Sequence, residues 1–167
     1  GGLIREIGIG LHANNELKIE VDVTTNAEAK VFAEYWPDSN AAQKYVSSVS
    51  NSGLYHALVL GNILPLTGYS FRVITEKGGV RSESKIYPFR SRALPMWLQD
   101  QFKYSCTRPE LLPDTFKEGF MLMNKREAPG LLYIVDVRGR LRWYHMVDGT
   151  EARSEEHTSE LQSRQYL

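Results

Sequence analysis

Cysteine is almost missing: Cys106 is the single one in 167 residues. That excludes an internal disulfide framework and any cysteine-based zinc site. An excess of charge of one sign is also missing, because Lys plus Arg and Asp plus Glu each number 20. A neutral chain gives no reason to expect nucleic acid or an anionic membrane surface as a partner. No apolar run approaches the length of a membrane span. No glycine-rich phosphate loop precedes a helix, and no His, Asp and Glu stand at metal-ligand spacing. No catalytic, cofactor-binding or metal-ligating residue can therefore be named from the sequence. There is no initiator Met, and Gly1, Gly2 and Leu3 do not begin a signal peptide. The chain reads as starting mid-sequence, so the missing signal says nothing about where the parent protein resides.

What is present is an ordinary globular composition, 42% hydrophobic and 24% charged, arranged with the period of β-strands. Leu17, Ile19, Val21 and Val23 alternate with Lys18, Glu20, Asp22 and Thr24, the pattern of a half-buried antiparallel strand. A turn at Thr25–Ala27 leads to a strand over 29–36 with Val31, Ala33 and Tyr35 on one side. Pro37, Asp38, Ser39 and Asn40 end it. A weak strand follows around Lys44–Val49. The strand over 54–60 places Leu54, His56, Leu58 and Leu60 on one face. Gly68–Thr75 is the next strand, Gly78 and Gly79 turn it, and Lys85–Arg90 returns. With an early strand at Ile4–Leu11, about seven strands recur at roughly 8–12-residue spacing, which is the signature of an Ig-like sandwich.

Within that region Leu64, Pro65, Thr67 and Tyr69 lead into a strand carrying Arg72 and Val73. The run resembles the corner of fibronectin type III domains. There a tyrosine packs at the sandwich edge and its hydroxyl bonds backbone upstream, so Tyr69 reads as structural. The first core strand departs from many such domains, having Ile19 and Val21 where they carry a tryptophan.

Residues 1–92 form the expected sandwich, and 93–118 read as a crossover linker broken by Pro95, Pro109 and Pro113. Within the linker, 96–104 reads as extended rather than helical. Cys106 falls there, and a lone cysteine is more often an inert thiol than a nucleophile. Residues 119–152 regain a strand pattern. Phe120–Asn124 is a short apolar strand, and Glu127–Gly130 a turn. The strand over 131–137 is too apolar for a wet face, so both its faces should be covered. Asp136 and Gly139 stand at the first and fourth positions of a type I turn. In the register that this turn sets, Tyr133 lies opposite Trp143 as an aromatic pair. Three short strands with covered faces suggest the opening of a β-propeller blade. The overall expectation is all-β: a sandwich followed by an incomplete blade. Residues 153–167 are similar to the translated read-through of a common short-read sequencing adapter. They are set aside as an artefact, even though Ser154–Gln165 has the spacing of a short helix. His157 goes with them. The natural sequence is expected to end near Ala152, with both ends of the parent missing.

The sandwich over Leu17–Arg90 and the run over Gly119–Tyr144 together resemble the N-terminal part of bacterial-type arylsulfate sulfotransferases. In that run a strand ends in Asp136, an Asp-x-x-Gly turn follows, and the next strand ends in Trp143 and Tyr144. The resemblance implies a parent that moves sulfuryl groups between phenolic sulfate esters and phenols, without a nucleotide donor. It implies a histidine nucleophile in the propeller channel, with cationic groups on the sulfate oxygens. All of these would lie in later blades, so the part in hand should be inactive. It also implies a periplasmic or secreted location, no cofactor, and a homodimer through the sandwich as one option. Two rivals stay open. One is a fibronectin-like adhesion or carbohydrate-binding module using Trp36 and Trp97 as an exposed platform. The other is the lead domain of a quinoprotein-like propeller enzyme. Of the remaining candidates, His12 reads as exposed near a strand end, and His56 as a satisfied or rim histidine. His145 is placed to approach a channel without a direct role. Arg138, Arg140 and Arg142 read as charges on a solvated face that discourage edge pairing.

Overall fold

The computed structural model of the protein describes residues 2–12, 15–99, 107–111, 119–127, 130–147 and 165–166. These are mostly antiparallel strands, with one helical turn, α1 (Met96–Gln99), and one 3-10 turn (Pro109–Leu111). None of their helices is long and apolar enough to cross a membrane.

In the N-terminal region the strands are β1 (Ile4–His12), β2 (Asn15–Thr25), β3 (Lys30–Pro37), β4 (Tyr45–Val46), β5 (Tyr55–Leu60), β6 (Gly68–Lys77), β7 (Val80–Glu83) and β8 (Tyr87–Arg90). They form two sheets. One runs β1-β2-β5; the other runs β4-β3-β6-β7, with β8 also on β6. The alternation in the sequence decides which side chains go inward. Ile19, Val21 and Val23 of β2 and Leu58 and Leu60 of β5 meet Val31, Ala33 and Tyr35 of β3 and Tyr69, Phe71 and Val73 of β6 in one buried core. Both sheets thus bury one face against the other, and burial of this kind is the main stabilising term.

Two details differ from the expected strand positions. Leu54 is not on the inner face: it precedes β5 and is 45% exposed, because its carbonyl accepts from the Thr25 N–H where the pairing with β2 ends. The return after Gly78 and Gly79 begins at Val80, not Lys85. Both glycines have positive φ (55° and 78°), and Lys77 pairs directly with Val80, the two-residue hairpin that such glycines permit. The return strand breaks at Ser84, whose N–H donates to the Val73 carbonyl at 2.9 Å and whose Oγ accepts from the Val73 N–H at 2.9 Å. β8 then resumes pairing with Gly68–Phe71.

A third sheet runs β11-β10-β9, from β9 (Phe120–Lys125), β10 (Leu131–Asp136) and β11 (Leu141–Met146). Its inner face carries Leu131, Tyr133, Val135, Leu141 and Tyr144, which pack with Leu17 and Leu98 into a second core. Leu17 has the parity of Ile19 but sits at the far end of β2, so it serves this second core. The expected extended course of 96–104 is corrected at its start: Met96–Gln99 is helical, with the Leu98 and Gln99 N–H groups donating to the Pro95 carbonyl. That turn points Leu98 into the core, with Leu94 and Trp97 packed beside it. The remainder of 96–104 and Cys106 lie outside the described residues, as does part of the turn at 127–130.

The expected register of the third sheet is off by one. Val135 pairs with Leu141 as the turn dictates, but Ile134 pairs with Trp143 and Tyr133 with Tyr144. Arg142 is the extra residue, a β-bulge. The slip exchanges faces: Tyr144 is buried and Trp143 is turned to the outer side. That outer side is also not covered as expected. Leu122, Ile134 and Trp143 stand in one row across the three strands, with Leu122 70% exposed and Leu132 beside them 37% exposed. Of residues 153–167, only Gln165 and Tyr166 are described. They add a short strand, β12 (Gln165–Tyr166), to the edge of β1 rather than the end of a helix.

Candidate functional site

The β10–β11 hairpin forms around Asp136. The Gly139 N–H donates to the Asp136 carbonyl at 2.9 Å, and Gly139 has φ 77°, a type I turn followed by a left-handed residue. The Asp136 side chain fixes the turn from inside. Its Oδ1 accepts from the backbone N–H of Arg138 and of Arg140, each at 2.9 Å. Its Oδ2 accepts from Arg140 Nε at 2.7 Å. Burial opposes the charge on Asp136, but hydrogen bonds from Arg140 and Arg138 and the Arg140 guanidinium outweigh it and hold its carboxyl below the usual range.

The bulge sends Arg142 toward the N-terminal sheets. Its side chain is 10% exposed, with Nη1 3.7 Å from Asp136 Oδ2. Its Nε donates to Asn62 Oδ1 at 3.0 Å, and Nη2 donates to the same oxygen. Asn62 has φ 60°, a left-handed conformation that asparagine tolerates better than most residues. This bend after β5 delivers its amide to Arg142. The guanidinium also lies over the Phe120 ring, 5.8 Å from its centroid. Arg142 is thus a buried link between the third sheet and the connection between β5 and β6, not a charge on a solvated face. Only Arg138 and Arg140 of the expected basic stripe are exposed.

These residues line one wall of a cleft of about 740 Å³. The opposite wall comes from the loop after β3, with Ser39, Asn40 and Gln43, and from Tyr45, Thr67 and Tyr69. Tyr69 holds its wall rigid as a tyrosine corner. Its hydroxyl accepts from the Leu64 N–H at 2.8 Å, its ring stacks on Phe89 at 5.2 Å, and burial raises its pKa. Beside it, the Tyr35 hydroxyl donates to the Gly61 carbonyl at 2.7 Å, and burial pushes its pKa up to about 12. Among the described residues, the cleft walls carry three arginines against one carboxylate, facing amides and hydroxyls. It is equipped to hold a polar anion, and its described lining holds no nucleophile–base pair.

The histidines lie elsewhere. His56 is buried between two hydroxyls, with Nε2 3.2 Å from Thr25 Oγ1 and Nδ1 2.8 Å from Ser50 Oγ. Burial lowers its pKa. His145 is exposed on the outer side of the third sheet, stacked on Trp143 at 6.1 Å. His12 is described only as the last residue of β1, and His157 lies outside the described residues. No group of three His, Cys, Asp or Glu that could hold a metal gathers among the described residues. The tryptophan platform is corrected as well: Trp36 is buried beneath the Lys44 ammonium, 3.8 Å from the ring centroid, and Trp97 packs edge-on against Tyr144 at 6.3 Å. The cleft was missed in the sequence because Asn62 and Arg142 are 80 positions apart. The only local trace was an arginine two positions before Tyr144, with nothing to mark a bulge.

No protein-family model matches the chain, and no curated protein matches it. Among solved structures, the sensor domain of the anti-sigma factor RsgI4 of Pseudobacteroides cellulosolvens is similar over 56% of this chain and 98% of its own, at 17% identity and a TM-score of 0.41. A longer version of that domain is similar over 55% of this chain and 92% of its own, at 20% identity and a TM-score of 0.37.

Proposed function

We propose that residues 1–152 are the non-catalytic N-terminal part of a nucleotide-independent arylsulfate sulfotransferase. In this reading the two N-terminal sheets are an Ig-like, fibronectin-type sandwich, and β9–β11 are the first strands of a propeller blade. The observation that carries it is the two-sidedness of the third sheet. Its inner face is packed on Leu17 and Leu98, while the row Leu122, Ile134 and Trp143 is apolar and open beside a groove of about 470 Å³. A row of that kind is what a blade presents to its neighbour. The Asp136–Gly139 turn and the Trp143–Tyr144 pair, which lies inside β11 rather than at its end, add the likeness of sequence. The role of this part is architectural: it covers one side of the first blade and leaves the other for the next. The sulfuryl chemistry, on phenolic sulfates and phenols in a periplasmic or secreted enzyme, belongs to later blades.

Reading the source DNA through the codon for Ala152 tests this. Continuation in frame into further Asp-x-x-Gly…Trp repeats carrying channel histidines and arginines is expected. A stop, or further sandwich repeats, overturns it. Purified 1–152 should move no sulfuryl group from a chromogenic aryl sulfate to a phenol; turnover by this piece would contradict its non-catalytic role.

A further inference from the structure

We propose that the cleft between the loop after β3 and the β10–β11 hairpin binds a small hydroxylated carboxylate of the sugar-acid class. It is separate from the open apolar row of the third sheet and does not rest on the propeller reading. Three observations carry it.

The first is charge. Arg138, Arg140 and Arg142 line the cleft, and Asp136 is the one carboxylate among its described lining residues. Asp136 is already engaged by two backbone N–H groups and the Arg140 Nε, which uses much of its accepting capacity. The Arg138 side chain is exposed, and no described carboxylate lies within ion-pair distance of it. A guanidinium with unused donors beside a second one is suited to a carboxylate, which it can take in a forked pair of hydrogen bonds.

The second is the opposite wall. Asn40 and Gln43 supply amides there, groups that donate and accept at once. A row of such groups suits hydroxyls, which also do both. An inorganic anion would leave that wall unused.

The third is rigidity. The arginine side is fixed by the Asp136 turn and by the Arg142–Asn62 link, and the far side by turn bonds, the Asn40 N–H donating to the Pro37 carbonyl at 3.0 Å and the Gln43 N–H to the Asn40 carbonyl at 3.1 Å. Its volume of about 740 Å³ falls within the usual range for small-ligand sites. A preformed site spends little on ordering when it binds.

The test uses the full 167-residue chain, with D-galacturonate as probe and galactose and acetate as controls, followed by amide chemical shifts during titration. Galacturonate should saturate shifts at Asn40, Gln43 and Arg138, with an affinity that weakens as salt is raised. Arg138→Ala should weaken binding about tenfold, the scale of a lost charge-assisted hydrogen bond. Gln43→Ala should weaken it less, and Arg90→Ala, on a residue outside the cleft lining, should not. Arg138 sits in an exposed turn, so the fold is expected to survive its loss, and the amide spectrum reports this directly. Absence of saturable shifts overturns the proposal. So does galactose binding as tightly as galacturonate, which removes the role of charge, or acetate doing so, which removes the role of the amide wall.

Discussion

The two cores are built from strands of similar apolar content, and they differ in what lies on their second faces. In the N-terminal sheets the outer faces of β2, β3 and β6 are largely polar or shielded. Glu34 and Arg72 pair across β3 and β6 at 2.7 Å, Arg81 joins Glu34 at 3.1 Å, and Lys44 covers Trp36. In the third sheet the outer face carries an apolar row, Leu122 exposed and Ile134 and Trp143 half-buried. A strand with one dry and one wet face has a single acceptable register, because a slip of one residue would bury its charges. A strand apolar on both faces lacks that penalty. Its register is then set by pairing details, here one bulge at Arg142. That bulge decides which aromatic is buried, where the cleft lies, and which face stays open.

The largest expected effects test this contrast. Phe71→Ala in the first core and Tyr144→Ala in the second should each cost about 3–5 kcal/mol, as for other buried aromatics. Trp143→Ala should cost below about 1 kcal/mol, because it opens no sealed cavity. Urea unfolding checks all three. Equal losses at Trp143 and Tyr144 would remove the distinction between the faces.

Next comes the turn. Asp136→Ala leaves two backbone N–H groups and the partly exposed Arg140 guanidinium without their acceptor, at a cost of about 1–3 kcal/mol. Asp136 has a folded pKa below its unfolded value near 3.9. Its contribution is therefore present above that value and lost as pH falls through the lower folded pKa. The wild-type protein should lose stability in that acid window, and Asp136→Ala should lose less; identical acid profiles would contradict the role given to Asp136.

The N-terminal sheets carry a milder pH response. His56 is neutral when buried, with a folded pKa below its unfolded value near 6.5. Below that value the unfolded chain takes up a proton that the folded one refuses, so stability falls as pH drops from 6.5 toward the folded pKa. The urea midpoint should be lower at pH 5 than at pH 8, and His56→Gln should flatten that slope. A slope unchanged by the substitution would assign it to other groups.

The smallest effect concerns backbone strain. Leu66 has φ 51°, a left-handed conformation costing a leucine about 1–2 kcal/mol. Its side chain is exposed, so little packing is lost with it. Leu66→Gly should raise stability by up to about 1 kcal/mol after the extra flexibility of glycine in the unfolded chain is charged against it. A loss on thermal melting would show that the turn is not strained.

The N-terminal strands were legible because their alternation carries phase. Val31, Ala33 and Tyr35 read inward and are buried, and Tyr69 read as a corner and bonds the Leu64 backbone. Leu54 misled because pairing with β2 begins one residue later than its pattern does. Trp36 misled because nothing in the sequence places Lys44 over its ring. The third sheet was legible as strands and as a turn but not in register, since its apolar run carries no phase and a bulge at an arginine leaves no signature. The cleft was invisible, because its two sides come from segments far apart in the chain, joined through Asn62 and Arg142.

The most direct test is a set of cross-strand nuclear Overhauser contacts between β10 and β11. The bulge at Arg142 predicts backbone contacts from Tyr133 to Tyr144 and from Ile134 to Trp143. Contacts from Tyr133 to Trp143 instead would mean an unbroken ladder, with Trp143 turned inward, Tyr144 outward and Arg142 out of the cleft.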